Sequence, residues 1–341
     1  MHITMRNFLL STFLLFIVAI SCTKQNYLKN NTNSTLELKA NVKNDVVTKG
    51  IIKSSTLPLA SEIGVQVIKS TEDAAYFPSG FTNIKFTADL AGVLSTLENC
   101  YLSSDKGRLY AYYPYITIGD NMQQFNDVPI SIPQVALVNT DTDYMFSSPL
   151  DQEMTMVNNL NNSINLVMNH ATTQISLLVY KESYSGTGEL TQFTIVDADA
   201  SNHIITDKSS ENDLMMNIVN GIISGGQKGI ITRTIIEPTV LQPSSSDPQY
   251  PSSNLNVLKN QVDNFGVSTL IVPTDNILPG EIKFGLKIDG IQYYVTNTSA
   301  ISWERGKQYI YKIKLSGSAL TMSSVTITDW QPVLGDDMNI Q

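Results

Sequence analysis

The sequence predicts an all-β protein made of two tandem β-sandwiches. Three observations carry this expectation. Short runs alternate strictly between apolar and polar residues. Gly, Asn, Asp and Pro turn signals separate those runs. No long stretch keeps a clean helical period. The composition agrees. Of 341 residues, 42% are hydrophobic and 16% charged, too apolar for a disordered chain and too lightly charged for a coiled coil. A net charge of −9 with no basic stripe excludes nucleic-acid binding.

The elements follow in chain order. Arg6 precedes an apolar run over residues 8–20, too short for a good membrane span and placed like a secretory leader. Ala19-Ile20-Ser21-Cys22 resembles a bacterial lipobox. In that reading residues 1–22 are a lipoprotein signal peptide, and Cys22 is acylated (palmitate) and becomes the new N-terminus. An ordinary signal peptide cleaved nearby is the alternative. Residues 23–35 are polar and Asn-rich and read as a tether.

Leu36-Glu37-Leu38-Lys39-Ala40-Asn41-Val42 alternates strictly. It predicts a half-buried strand with Leu36, Leu38, Ala40 and Val42 facing a core. Ile63, Val65 and Val67 form a second such run. Leu109, Ala111 and Tyr113 form a third, which Pro114 ends. Asn158-Asn159 and Asn161-Asn162 then interrupt the apolar pattern. The boundary is placed there, giving an N-terminal sandwich over 36–157 and a C-terminal one over 158–341.

In the second half, Ile164, Leu166 and Met168 alternate, then Ile175, Leu177 and Val179, with a tight connection from His170 to Thr173. Phe284, Leu286 and Ile288 lead through Asp289-Gly290, a strong hairpin signal, to Tyr293 and Val295. Tyr309, Tyr311, Ile313 and Leu315 alternate, and Val325 and Ile327 precede Trp330. Short helices are expected only at 88–97 and 253–262. Pro243, Pro248 and Pro251 among serines mark a surface loop over 242–254.

Chemistry-bearing patterns are sparse. His2 leaves with the leader, and His170 and His203 lack partners at metal spacing. His170 is expected to be a hydrogen-bonding residue at a strand end. Gly221, Gly225, Gly226 and Gly229 are followed by no Lys-Ser or Lys-Thr and read as a turn. Asp141 and Asp143 resemble two ligands of a calcium loop that lacks its later Gly and Glu. They are expected in solvated turns, as are Asp336 and Asp337. Once Cys22 is acylated, Cys100 stands alone and no internal disulfide forms; a small buried apolar role is expected for it. Tyr112, Tyr113, Tyr115, Tyr293 and Tyr294 admit a sugar-stacking platform, with core packing preferred. No catalytic residue, metal site or cofactor is expected, so the reading is not that of an enzyme.

Five segments together resemble the fimbrillin family, subunits of protease-assembled (type V) pili of gut and oral Gram-negative bacteria. They are Val47-Thr48-Lys49-Gly50 with Glu62-Ile63-Gly64-Val65; Leu109-Tyr110-Ala111-Tyr112-Tyr113-Pro114-Tyr115; Asp143-Tyr144-Met145-Phe146-Ser147 with Val167-Met168-Asn169-His170-Ala171; Trp303-Glu304-Arg305-Gly306-Lys307-Gln308-Tyr309-Ile310-Tyr311; and Ile327-Thr328-Asp329-Trp330. The resemblance implies transthyretin-like β-sandwiches and no catalytic residues. It also implies export as an outer-membrane lipoprotein to the cell surface or fimbrium. There a trypsin-like protease removes the N-terminal segment with its first strand, and another pilus subunit supplies a replacement by donor strand exchange.

Cleavage is expected after Lys49, where the family usually has Arg; Lys43 or no cleavage are the alternatives. The exchanged strand would carry Leu36, Leu38, Ala40 and Val42. Implied partners are other pilus subunits, the maturation protease, the outer membrane through the lipid, and a host or bacterial surface ligand contributing to adhesion. The short tail over 331–341 alternates poorly and leaves stalk, tip and anchor roles open. Two rival functions remain: a lipid-anchored surface glycan-binding protein and, ranked last, a surface hydrolase.

Overall fold

The computed structural model describes residues 34–42, 56–71, 74–77, 82–117, 126–147, 156–198, 203–207, 214–246 and 249–330. Residues 1–33 with Cys22, 43–55 with Lys49, and the tail with Asp336 and Asp337 lie outside them.

The alternating runs form strands as predicted, and the fold is all-β. Glu37–Val42, Glu62–Lys69, Gly107–Tyr113 and Ser163–His170 all join one eight-stranded sheet. That sheet closes on itself. Met145–Ser147 pairs with Ser163–His170 on one side and Gly107–Tyr113 on the other. The circuit runs from Ser163–His170 through Glu37–Val42, Val93–Ser95, Ile84–Ala88, Glu62–Lys69 and Gly107–Tyr113 back to Met145–Ser147. Closure removes the free edges that an open sheet would expose. Leu38, Ala40, Val65, Phe86, Leu109 and Leu166 are among the side chains filling the interior.

Glu62–Lys69 is buried on both faces except at its ends, where alternation predicts a half-buried strand. The neighbouring strand Gly107–Tyr113 explains this. Its Leu109 and Ala111 enter the ring, while Tyr110 and Tyr112 enter a second core outside it. Gly64 lies directly beneath the Tyr112 ring, and a Cβ there would sit 2.1 Å from a ring carbon.

The second core lies between two five-stranded sheets. One joins Gln242–Pro243, Thr173–Glu182, Lys307–Ser316 and Ala319–Asp329 in that order, with Val267–Ile271 also on Thr173–Glu182. The other runs Ile291–Thr296, Ile282–Ile288, Glu189–Asp197, Ile231–Val240, Val135–Leu137. Ile175, Leu177 and Tyr311 meet Phe193, Phe284 and Leu286 between them. Asp289 and Gly290, both at positive φ, form the predicted two-residue hairpin.

The helix Leu255–Phe265 lays Leu258 and Val262 on Leu178, Tyr180 and Ile310, outside the first of these sheets. Asn254 caps it by accepting from the Asn256 and Val257 amides. The other expected helix, 88–97, is absent. Ile84–Ala88 and Val93–Ser95 are strands instead. Asp89 Oδ1 accepts the Ala91 and Val93 amides at 2.8 Å, and the turn is completed by Gly92 at φ +75.

The chain does not divide between the cores in simple order. After Gly107–Tyr113 it leaves the ring; Asp127–Ile130 pairs with Leu214–Asn217, and Val135–Leu137 with Ile231–Val240. It returns at Met145–Ser147. Ser163–His170, which follows the boundary expected at 157/158, is a ring strand, and the passage to the second core falls at Ala171 and Thr172. The Asn cluster is a turn within the ring. Asn158 bridges Asn161, and its side chain accepts the Leu160 and Asn161 amides. The connection from His170 to Thr173 is tight, but the strands that it joins belong to different sheets. Ser34–Thr35, the end of the expected tether, pairs with Tyr101–Leu102.

Candidate functional site

The strand Glu37–Val42 fills a seam in the ring. It runs parallel to Ser163–His170 over six positions, from Glu37 opposite Ser163 to Val42 opposite Met168. On its other side it is antiparallel to Val93–Ser95, with Leu38 opposite Leu94. The alternation read in the sequence is realised. Leu36, Leu38, Ala40 and Val42 are buried, while Glu37 and Lys39 are exposed. Burial of the three larger side chains contributes roughly 1.5–3 kcal/mol each.

The backbone is held at its start and its middle by bonds from outside the ladders. The Leu36 amide donates to the Cys100 carbonyl at 2.9 Å, Glu37 to Asn162 at 2.8 Å, and Ala40 to Gly92 at 2.9 Å. Asn162 Nδ2 donates to the Thr35 carbonyl at 2.8 Å, and Ser34 Oγ to that of Asn159 at 2.9 Å. Gly92 permits the close approach. A Cβ at this positive-φ residue would stand 2.7 Å from the Ala40 oxygen.

Cys100 lies at the start of the same seam, buried as expected. Burial first, and the nearby Glu98 second, push its thiol up to about 11, which suits an inert core residue.

Beyond Val42 the chain leaves the described residues and re-enters at Thr56, which bridges Asn41. The two ends of segment 43–55 therefore meet beside the strand. Lys49 belongs to that segment. Cys22 belongs to residues 1–33, which precede the strand in the sequence.

Asp141 and Asp143, expected in solvated turns, are buried. Arg233 donates to Asp141 from Nη2 at 2.8 Å and Nε at 3.1 Å. Thr269 Oγ1 adds a bond at 2.8 Å and the Leu270 amide one at 3.1 Å. Arg233 Nη1 reaches the Pro133 and Thr232 carbonyls. Asp143 meets His170 Nδ1 at 3.0 Å, and the His170 ring stacks on Trp330 with centroids 4.0 Å apart. The side chains and amide that meet Asp141 lie 92 to 129 positions away, so no local signal marked its burial; Arg233 was missed altogether. His170 is a strand-end hydrogen-bonding residue, as read. His203 pairs with Glu281 at 2.9 Å.

The five tyrosines do not share one face. Tyr112 is buried, with its hydroxyl on Asn83 at 3.0 Å. Tyr113 and Tyr115 sit at the end of the ring strand, and Tyr293 and Tyr294 lie on Ile291–Thr296 in another sheet. An open cleft of about 640 Å³ beside Ile84–Ala88 is lined by Lys85, Glu98 and Tyr115, and its lysine is already paired with Glu62 at 2.8 Å. Among the described residues no group of three or more His, Cys, Asp or Glu is placed to hold a metal ion. No helix there is long and apolar enough to cross a membrane.

Comparison with known proteins adds to this geometry. The family model described as fimbrillin-like matches residues 54–330. A Bacteroides ovatus structure, described as a candidate cell adhesion protein, superposes with a TM-score of 0.58 at 14% identity, covering 87% of this chain and 98% of its own. A second such protein, from Bacteroides uniformis, gives 0.54 at 15% identity with the same coverage. A fimbrial protein from Bacteroides vulgatus gives 0.50 at 12%, covering 86% and 99%. These likenesses speak for the fold. A search of curated proteins finds no match. With its match running over most of the chain and the all-β fold in agreement, this protein belongs to the fimbrillin-like family.

Proposed function

We propose that this protein is a structural subunit of a cell-surface pilus, exported as an outer-membrane lipoprotein on Cys22 and assembled by exchange of its first strand. It is not an enzyme in this reading. The observation that carries the proposal is the position of Glu37–Val42, paired on both sides and completing a closed ring.

Removing that strand would strip two ladders of their partners and open the core along its length. Unpaired buried backbone groups and bared apolar surface both favour capture of another strand. Segment 43–55 is the stretch of chain that links the strand to Thr56 and the ring strands that follow it. A cut after Lys49 would leave it held by noncovalent contacts alone. The partners are then a trypsin-like protease, other pilus subunits, and a surface ligand on host or bacterium.

The test treats purified protein with a trypsin-like protease. The expected result is an N-terminus at Gly50 and ladders of SDS-resistant oligomers, both lost in Lys49→Ala. Assembled material that still begins near Cys22, or cleaved protein that stays monomeric with its strand retained, would refute the exchange.

A further inference from the structure

We propose that the edge strand Ala319–Asp329 is a self-pairing surface through which two copies of this chain join in a two-fold, antiparallel continuation of their sheets. At eleven residues it is the longest strand described, and among the described residues it pairs on one side only, with Lys307–Ser316. Natural edge strands are usually kept apart by charge, proline or brevity. Residues 319–328 contain no charged residue and no proline. The neighbouring edge of the facing sheet, Ile291–Thr296, is uncharged as well.

Burial points the same way. Leu320, Met322 and Val325 pack against the second core yet stay only partly buried, and Ile327 is 54% exposed. Their cross-strand partners Leu315, Ile313, Tyr311 and Tyr309 are fully covered. The missing cover is on the open side.

The pattern is also self-complementary, which selects a second copy as the occupant. The core-facing positions 320, 322, 325 and 327 are symmetric about the bond between Ser323 and Ser324. In an antiparallel pair centred there, Leu320 faces Ile327 and Met322 faces Val325 of the other copy. Each core residue therefore continues the other's core. The bulge that shifts the register at Ser323 falls at this centre, so both halves stay aligned. Such an interface is isologous and closes as a dimer.

No residue of the ring takes part, so this pairing stands apart from the exchange of the first strand. It is tested by sedimentation velocity over a concentration series, on the chain without its apolar leader, which removes none of the described residues. The centred register places residue 321 opposite 326. Thr321→Glu with Thr326→Glu then sets like charges opposite each other, whereas Thr321→Glu with Thr326→Lys sets opposite charges together. The wild type and the second variant should dimerise, and the first should bind roughly tenfold more weakly or worse. Amide exchange over 319–329 in the wild type should slow as concentration rises. A wild type that is monomeric throughout, variants that associate equally, or exchange independent of concentration would overturn the pairing.

Discussion

Arg233 illustrates what a single buried side chain can fix. Its guanidinium joins the excursion carrying Asp141 to Ile231–Val240, and Asp141 in turn takes bonds from Val267–Ile271. Removing one partner leaves an uncompensated charge, so Asp141→Ala should cost about 3–5 kcal/mol in urea unfolding. Asp141→Leu combined with Arg233→Met should recover most of that loss. Asp289 acts in the open. The Glu189 and Gly188 amides hold its carboxyl below the ordinary 3.8. A lowered value gives stability that is complete above pH about 4 and fades as pH falls through the folded-state value. The stability difference between wild type and Asp289→Asn should therefore be present at pH 7 and shrink as pH falls below 3.8. At this scale the sequence was half legible. Leu36, Leu38, Ala40 and Val42 could be read because alternation is local, and Cys100 because a lone cysteine is usually buried. Asp141 and Asp143 were misread because their partners lie outside any local pattern, 92 to 129 positions away for Asp141 and 27 for Asp143.

Among elements, the hairpin joining Ile282–Ile288 to Ile291–Thr296 was the most readable, since Asp289-Gly290 supplies both positive-φ residues. The region 88–97 was the least, because its Asx turn and short strands leave no periodic run. The first strand depends on that same turn. Gly92→Ala forces a Cβ towards the Ala40 carbonyl and an L-residue into left-handed backbone, a cost of about 1–2 kcal/mol or more. Amide exchange over Glu37–Val42 should speed up in this variant, while that of Lys307–Ser316 should not. Cys100 supplies an intrinsic probe. Its thiol should resist aromatic disulfide reagents at pH 8 in the intact fold and react promptly once the strand beside it is pulled away, whereas a thiol reactive from the start would contradict its burial.

For the whole molecule, the cores cannot be separated at the Asn cluster. Gly107–Tyr113 supplies side chains to both, and Ser163–His170 completes a ring begun more than a hundred residues earlier. A fragment over 36–157 lacks that strand and should show poor amide dispersion by NMR. The intact chain should melt in one calorimetric transition with matching calorimetric and van't Hoff enthalpies. Local pattern read the strands well. The route between the cores was hidden because the pairing of Val135–Leu137 with Ile231–Val240 spans most of a domain's length.

The parallel setting of Glu37–Val42 against Ser163–His170 imposes a compass bearing. A replacement strand that reproduces this ladder must enter with the same heading, because reversing it would mismatch the slanted parallel bonds. Subunits linked this way would share one polarity, and a repeating head-to-tail step that does not close builds a filament with distinct ends.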